Sequence, residues 1–428
     1  MPTQQSFLPT YSADEFAAIS LEGIRWTVGH ALRGSAQYRE KLKGICAEDI
    51  KCLDDIRKLP FTTTDDLRQG YPLPLLSVPE RDIARIHASS GTTGKRKIMA
   101  YTRKDIDMFS TQMARCFELA GLTPEDRLQV AVGYGLWTAG VGFQLGSEKL
   151  GCLTIPVGPG NLEIHLQLLQ DMGTTCLGCT ASMGLLMGEE VERHGLLDKI
   201  KLKRAIFGAE PSSEKMRGMI MEKLGLDHCF DIGGMTEMYG PGTAIDCEAH
   251  EGLHYWADLF HIEIIDPETL EPVRAGELGE MVVTSLCKEA SPLIRYRTRD
   301  LSRLLPGRCS CGRAIPRHDR LQGRSDDMII FKGVNIYPGQ ISDVIQQYRE
   351  LGGEYHLELT RDNGRDFMLL KLERHPSASA DVDLALSKKF GSQLSKALLC
   401  SAEIEIVDPG SLPRSFGKSK RVTDLRLD

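Results

Sequence analysis

Long apolar runs are scarce in this chain of 428 residues. The most apolar stretch, residues 130–143, is rich in glycine and is shorter than the ~20 residues that a membrane-spanning helix needs. The N-terminus also lacks a basic segment followed by an apolar one, which is the pattern of a secretory signal. We therefore expect a cytoplasmic protein that does not associate with membranes.

An excess of positive charge is also missing. The formal net charge is −7, whereas a nucleic-acid-binding protein normally carries a basic domain or stripe, so we expect no nucleic-acid partner. Twelve cysteines in a chain of this length are too few for a disulfide scaffold, and cytoplasmic thiols stay reduced. Clustered cysteines are therefore interpreted first as metal ligands.

The order of predicted elements indicates a large α/β domain. Between residues 83 and 232, short apolar runs alternate with segments whose apolar residues recur at helical spacing, which is typical of a largely parallel sheet. Residues 261–302 are more purely β, with turn residues between apolar runs. We predict an N-terminal domain over residues 1–325 that combines mixed β-sheets and helices.

A second set of elements begins at residue 326. The pattern predicts a strand, a helix over residues 339–351, two further strands, a helix over residues 380–398 and a last strand over residues 402–407. About 100 residues suffice for a small domain. We predict a small, mobile α+β domain over residues 326–428.

A run of hydroxyl and glycine residues ends in a lysine near the start of the large domain. Glycines let the backbone approach phosphate oxygens, hydroxyls add neutral donors, and the lysine adds a positive charge. It is not a Walker A loop, because only two residues separate its glycines and an arginine follows the lysine. A generic run of this kind is often a polar turn, but this string predicts a phosphate-binding loop: Ser89, Ser90, Gly91, Thr92, Thr93, Gly94 and Lys95.

Four further motifs follow this loop in order, and the five together resemble those of the adenylate-forming superfamily, which includes acyl-CoA synthetases, adenylation domains and luciferases. Within it, the YRTRD segment and a Cys-Gly-Arg segment resemble the phenylacetate–CoA ligase-like proteins. Two positions depart from the usual motifs, with Gly233 in place of an aromatic residue and Arg299 in place of glycine. The four motifs are Gly233-Gly234-Met235-Thr236-Glu237-Met238, Tyr296-Arg297-Thr298-Arg299-Asp300, Gly323-Arg324-Ser325-Asp326-Asp327 and Pro413-Arg414-Ser415-Phe416-Gly417-Lys418.

The resemblance implies an enzyme that uses ATP and Mg²⁺ to convert a carboxylic acid, of the aryl or arylacetic class, into an acyl-adenylate. The acyl group would then pass to coenzyme A, with release of AMP and pyrophosphate. Both partners of the first step are anions, so catalysis depends on charge shielding and in-line positioning. Glu237 would hold Mg²⁺, Thr236 would donate to the α-phosphate, and Asp300 would accept both ribose hydroxyls.

Other roles follow from the same resemblance. Lys418 would bridge the acyl carboxylate and the phosphate, Arg324 would reach the ribose or phosphate, and the small domain would rotate about a hinge at Asp326. The remaining nucleotide contacts would come from the phosphate loop, Gly233, Gly234, Met235, Ala209, Glu210 and Pro211.

The segment around residues 134–140 stands where relatives place the wall of the acyl pocket. Aromatic rings and glycines together could form a flat slot for a ring, and an ordinary core is an equally good explanation. The candidate wall residues are Tyr134, Trp137 and Gly140.

A zinc site is predicted shortly before the hinge. Cys309 and Cys311 form a C-x-C pair, and Cys247 and His254 lie about 60 residues upstream. A C-x-C pair alone is weak evidence, but phenylacetate ligase-like relatives carry a similar set, which implies a Cys₃His site. Four protein ligands leave no open position, so this zinc would be structural.

Several alternatives stay open. His250 is the rival fourth ligand, although the spacing in relatives favours His254. The acceptor could be a carrier protein instead of coenzyme A, or the enzyme could adenylate a deazaflavin cofactor. A non-enzymatic zinc-binding module is a more distant hypothesis, and a homodimer is a possible assembly.

Overall fold

The computed structural model describes residues 6–89, 96–210, 212, 214–326, 329–331, 334–336, 338–362, 365–398, 400–412 and 421–426. Within these ranges, no helix combines the length and the apolar character that crossing a bilayer requires. The α-helices are α1 (Ala13–Gly34), α2 (Ala36–Lys41), α3 (Thr64–Gln69), α4 (Arg103–Leu119), α5 (Ala139–Leu150), α6 (Leu162–Asp171), α7 (Ala181–Arg193), α8 (Glu214–Leu224), α9 (Pro338–Ile345) and α10 (Asp383–Leu398).

Short 3₁₀ turns and β-strands complete the secondary structure. The 3₁₀ turns are Ala47–Asp49, Leu53–Lys58, Glu80–Asp82, Leu197–Lys199, Thr236–Met238 and Ala380–Val382. The strands are β1 (Arg85–Ala88), β2 (Ile98–Tyr101), β3 (Arg127–Val130), β4 (Leu153–Ile155), β5 (Cys176–Cys179), β6 (Arg204–Phe207), β7 (His228–Met235), β8 (Gly240–Asp246), β9 (Leu253–Tyr255), β10 (Phe260–Ile265), β11 (Gly279–Ser285), β12 (Tyr296–Ser302), β13 (Leu304–Leu305), β14 (Arg317–His318), β15 (Ile329–Phe331), β16 (Val334–Ile336), β17 (Leu351–Asp362), β18 (Arg365–Arg374), β19 (Glu403–Val407) and β20 (Val422–Asp424).

Residue contacts divide the chain into two compact units. One contains residues 1–208 and 220–320, and the other contains residues 209–219 and 321–428. The domain boundary drawn from the sequence, between residues 325 and 326, stays a prediction.

The first unit is built on a nine-stranded mixed sheet. Its strand order is β13-β14-β9-β8-β7-β6-β5-β3-β4. Strands β3 to β7 are parallel to one another. From β7 onwards, each strand in the series β7, β8, β9, β14 and β13 is antiparallel to the next one. All four residues of β5 are buried, as expected for a strand covered on both faces. The predicted α/β fold with mixed sheets is confirmed.

The second unit contains a four-stranded sheet in the order β19-β18-β17-β20 and the hairpin β15-β16. The helix predicted over residues 339–351 is wrong in its last part, since α9 ends at Ile345. Leu351 instead begins β17 and pairs with Arg374, because the apolar side of that long strand belongs to the core of this unit. Strand β20, which pairs in parallel with β17, was not predicted.

One fully buried carboxylate connects helix α4 to the segment between β11 and β12. Asp105 lies in the first turn of α4 and accepts from the backbone of the cap residue Thr102 at 3.0 Å. The same carboxylate accepts the backbone N–H groups of Glu289 at 2.8 Å and Ala290 at 2.9 Å. A carboxylate with several N–H donors is stable inside a protein, so this contact fixes the path of the segment.

We expect Asp105→Ala to lower the free energy of unfolding of the first unit by about 3 kcal/mol, because three backbone N–H groups lose a charged acceptor. Asp107→Ala is the matched control on the same helix. The Asp107 side chain is 69% exposed, so its loss should change stability by less than about 0.5 kcal/mol. All three tryptophans, Trp26, Trp137 and Trp256, lie in the first unit, so urea unfolding followed by tryptophan fluorescence measures that unit. Equal urea midpoints for Asp105→Ala and Asp107→Ala would contradict the stabilising role of Asp105.

Candidate active site

A tight turn at the end of β7 presents the predicted catalytic pair. Strand β7 ends at Met235, Thr236 and Glu237 form a 3₁₀ turn, and β8 starts at Gly240. Gly234 permits this arrangement, because a Cβ there would lie 2.3 Å from the carbonyl oxygen of Gly240. The glycine-rich motif therefore folds the chain sharply enough to bury both Thr236 and Glu237.

The Glu237 carboxylate is almost fully buried, with 4% of the residue exposed. The ammonium of Lys97 contacts its Oε1 atom, and the hydroxyl of Tyr296 donates to the same oxygen at 3.1 Å. Burial raises the pKa of this carboxyl, but the charge and hydrogen bond of Lys97 outweigh burial, so the pKa lies below its ordinary value. Glu237 is therefore ionised at neutral pH and offers the oxygen that a divalent cation prefers.

A second lysine supports the backbone of the same turn. Lys288 is fully buried, and its ammonium donates to the carbonyl oxygen of Glu237 at 2.8 Å. The ammonium also lies over the rings of Tyr101, at 4.8 Å, and Tyr239, at 5.3 Å. The hydroxyl of Tyr101 donates to the carbonyl oxygen of Thr236 at 2.9 Å. The two carbonyl groups are thus held by side chains from β2 and from the segment after β11.

The motif at residues 296–300 forms strand β12, and only part of it faces this turn. Tyr296 reaches Glu237, whereas Arg297 forms a buried bidentate ion pair with Glu280 at 2.7 and 2.8 Å. Arg299, which departs from the glycine of the usual motif, keeps the left-handed conformation that glycine favours, with φ of +69°. Asp300, the predicted ribose ligand, is half-buried on the same strand.

The predicted acyl wall is attached to the strand that leads into the phosphate loop. The carbonyl oxygen of Leu136 accepts the backbone N–H of Ala88 at 2.9 Å and the Nδ1–H of His87 at 3.1 Å. Burial lowers the pKa of His87 to about 4, so its ring is neutral. The ring of Tyr134 lies against Gly140, where a Cβ would come within 2.7 Å of it. Trp137 is half-buried.

The remaining predicted nucleotide residues lie either outside the described residues or in the second unit, apart from Ser89. Ser89 is the only phosphate-loop residue among those described, and Ser90 to Lys95, Pro211 and Lys418 lie outside the described residues. Ala209, Glu210, Arg324 and Asp326 belong to the second unit. There, Arg324 forms a bidentate ion pair with Asp326, at 2.8 and 2.9 Å.

Three cysteines and one histidine converge away from the turn, at the opposite end of β8. The candidate ligand atoms of Cys247, His254, Cys309 and Cys311 lie within 4.8 Å of one another. The sulfurs of Cys247 and Cys309 are 3.6 Å apart, and His254 Nε2 is 3.5 Å from Cys311 Sγ. A tetrahedral zinc with bonds of about 2.3 Å to sulfur and 2.0 Å to nitrogen has S–S and S–N edges of about 3.8 and 3.5 Å. The donor set and its spacing therefore fit zinc.

The rival histidine points elsewhere. His250 Nδ1 lies 2.9 Å from a carboxylate oxygen of Asp246. His254 is fully buried, and its Nδ1–H donates to the carbonyl oxygen of Ile315 at 2.8 Å, which leaves Nε2 as the nitrogen that faces the sulfurs. The geometry places His254, and not His250, with the three cysteines.

Comparison with known proteins identifies the family of the chain. A family described as AMP-binding enzyme matches residues 26–287, which is more than half of the chain, and its C-terminal domain family matches residues 333–426.

The chain belongs to the AMP-binding enzyme family.

Relatives of this AMP-binding enzyme match over nearly their full length. A phenylacetate–coenzyme A ligase of Aromatoleum evansii is 41% identical over 97% of this chain and 96% of its own length. That of Escherichia coli is 40% identical, over 98% and 97%. The structure of a 2-hydroxyisobutyryl-CoA ligase in the postadenylation state, in complex with 2-HIB-AMP, is 27% identical with a TM-score of 0.89, and the match covers all of this chain and 94% of that one.

Several residues of the site were not anticipated from the sequence. Neither Lys97 nor Lys288 belongs to one of the five motifs, although Lys97 follows the predicted phosphate loop by two positions. Asp105 and Tyr101 are also absent from the five motifs. These residues act on the turn through contacts between positions far apart in the chain, which local patterns do not indicate.

Burial of Lys288 predicts a pH-dependent stability for this AMP-binding enzyme. Burial lowers the pKa of Lys288 to about 8, from about 10.4 in an unfolded chain. Between these values the unfolded chain holds the proton and the folded chain does not, so raising the pH favours folding. The stability of the wild type relative to Lys288→Met should thus rise from pH 8 to about 10, by on the order of 3 kcal/mol. Urea unfolding across this pH range measures the difference in free energy of unfolding between the wild type and Lys288→Met. A difference that does not change with pH would refute the lowered pKa of Lys288.

Proposed function

We propose that this AMP-binding enzyme is an AMP-forming acid–CoA ligase that acts on an aryl or arylacetic acid. The proposal rests on the match to phenylacetate–coenzyme A ligases at 36–41% identity over almost the whole chain. The buried, ionised Glu237 at the Thr236–Met238 turn supports it, because nucleotide activation requires a site for a divalent cation.

The reaction has two steps. A carboxylate oxygen of the acid attacks the α-phosphorus of ATP, a bond forms between that oxygen and phosphorus, and the α–β phosphoanhydride bond breaks to release pyrophosphate. The sulfur of coenzyme A, as thiolate, then attacks the acyl carbon, and AMP leaves with the electron pair of the broken C–O bond. Thr236 is suited to donate to the α-phosphate and Asp300 to accept the ribose hydroxyls.

Glu237 is the residue that we assign to Mg²⁺. Its carboxylate is ionised and lies at a turn whose carbonyl groups are held by Lys288 and Tyr101, so its orientation is fixed before a ligand arrives. When bound, Mg²⁺ would neutralise phosphate charge during attack by the anionic acid.

The acid class is inferred from the wall formed by residues 134–140. The Tyr134 ring lies over Gly140. It also lies beside Gly158, where a Cβ would be 3.6 Å from the ring. A flat surface with an aromatic ring and small neighbours suits a planar ring better than a branched aliphatic acid.

The second unit would serve both steps by rotating about Asp326, with Lys418 acting in the first. Arg324 would have to leave its ion pair with Asp326 to reach a nucleotide. Exchange of this pair would accompany the rotation at little cost, since an exposed ion pair contributes little stability.

Purified protein should release pyrophosphate from ATP when phenylacetate or a related aryl acid is present, and should form the thioester only when coenzyme A is added. Glu237→Gln should reduce the adenylation rate by about a hundredfold, because charge stabilisation at the phosphates is lost. Asp300→Ala should act mainly on ATP affinity.

The acceptor is tested in the same assay. Stoichiometric pyrophosphate and AMP with coenzyme A support the ligase. Pyrophosphate release without formation of a thioester, although coenzyme A is present, would favour a carrier protein or another acceptor. Absence of pyrophosphate release across aryl, arylacetic and short-chain acids would refute the proposal.

We also propose that Cys247, His254, Cys309 and Cys311 hold a structural zinc. The names of the relatives mention no metal, so this proposal is supported by the geometry of the four ligand atoms. The ligands come from the end of β8, from β9 and from the loop before β14, and one ion would join these segments.

Elemental analysis should find about one zinc per chain in protein purified without chelators under reducing conditions. Cys309→Ser with Cys311→Ser should lose the metal and lower the melting temperature, whereas Cys52→Ser, at an exposed cysteine, should change neither. His254→Ala should lose zinc and His250→Ala should keep it. Zinc that is lost only from the His250 variant would show that the ligand assignment is wrong.

A further inference from the structure

We propose that Lys97 is a placeholder for the divalent cation: its ammonium binds the Glu237 carboxylate in the nucleotide-free enzyme and is displaced when Mg²⁺ and ATP enter. This inference rests on the proposed assignment of Glu237 to Mg²⁺. Lys97 would then be a positioning residue that sets the binding coupling between Mg²⁺ and nucleotide.

The buried carboxylate of Glu237 needs a positive partner. The Glu237 side chain is 5% exposed, and an isolated carboxylate at such a position carries a large desolvation cost. Tyr296 is a neutral donor, and Lys288 binds the backbone carbonyl, so neither places a positive charge on the carboxylate oxygens. Among the described residues, Lys97 provides that charge, and its own side chain is only 23% exposed.

The backbone of Lys97 is held in place by its neighbours. Its carbonyl oxygen accepts the N–H of Ser89 at 3.0 Å, and strand β2 begins at the next residue. The backbone is therefore fixed, whereas the four-carbon stem can turn the ammonium. When a cation takes the Glu237 oxygen, the ammonium can leave the carboxylate without any change in the fold.

Lys97 and Mg²⁺ compete for one oxygen atom. The Tyr296 hydroxyl and the Lys97 ammonium together occupy the two lone pairs of Glu237 Oε1, so Mg²⁺ can take this oxygen only after Lys97 leaves it. Mg²⁺ would bind only the state in which Lys97 has left Glu237. Its affinity is therefore multiplied by the fraction of molecules in that state. An ion pair formed for about nine-tenths of the time would weaken Mg²⁺ binding about tenfold.

Calorimetric titration with α,β-methylene-ATP, which cannot be cleaved between the α- and β-phosphates, tests the competition without turnover. The analogue is titrated once with saturating Mg²⁺ and once with EDTA. The affinity with Mg²⁺ divided by the affinity with EDTA is the ratio that measures the coupling between Mg²⁺ and nucleotide. In Lys97→Met the ratio should increase about tenfold over the wild type, because the competitor is gone. Lys104→Met, at a lysine that is 58% exposed, removes the same charge elsewhere and should leave the ratio unchanged.

Lys97→Arg provides a second variant that keeps the positive charge. Because a guanidinium binds a carboxylate with two donors, its ratio should equal the wild-type value or fall below it. A Lys97→Met ratio that is unchanged or smaller would overturn the placeholder role, as would a Lys97→Arg ratio that rises together with it.

Glu237→Gln separates this inference from the assignment on which it depends. If Glu237 holds Mg²⁺, the ratio in this variant should fall close to one. If the ratio stays at the wild-type value, the Mg²⁺ assignment is wrong, whatever the Lys97 variants show. A normal fall in Glu237→Gln together with no change in Lys97→Met would contradict the placeholder role alone.

Discussion

The candidate site depends on the ionised carboxylate of Glu237 inside the protein. A charge at this depth is stable only with charged or hydrogen-bonding partners, and Lys97 and Tyr296 meet this requirement on one oxygen atom. The turn that carries Glu237 exists because Gly234 allows β7 and β8 to approach too closely for any side chain. The chemistry of the site and the conformation of its backbone are thus two consequences of one short glycine-rich segment.

Buried charges also organise the surroundings of that turn. Asp105 binds the backbone of residues 289–290, which places Lys288 against the carbonyl oxygen of Glu237. Removal of either group would leave buried donors or acceptors without partners, which costs more than the net gain from forming such bonds. This arrangement joins helix α4 and the three-stranded sheet β10-β11-β12 to the end of β7, and holds the turn without a ligand.

Strand β8 connects the two candidate sites. It starts beside the Glu237 turn at Gly240 and ends at Asp246, next to the first cysteine of the four-ligand cluster. A metal at that cluster would fix the far end of the strand together with β9 and the loop before β14. Its effect on the enzyme would therefore be through the stability of the sheet, because its four ligands leave no position for a substrate.

The sequence by itself determined the α/β fold, because apolar periodicity is a local property of the chain, and its five motifs in order indicated the family by resemblance. It also indicated Thr236, Glu237 and the four candidate zinc ligands, because their residue types suit the chemistry proposed for them. Only the tertiary structure decided that Lys97 and Lys288 serve the same glutamate, that His254 and not His250 faces the sulfurs, and that α9 ends at Ile345. Glu237 lies 140 positions from Lys97 and 51 from Lys288, and contacts at such separations arise from the packing of whole elements, to which no local pattern refers.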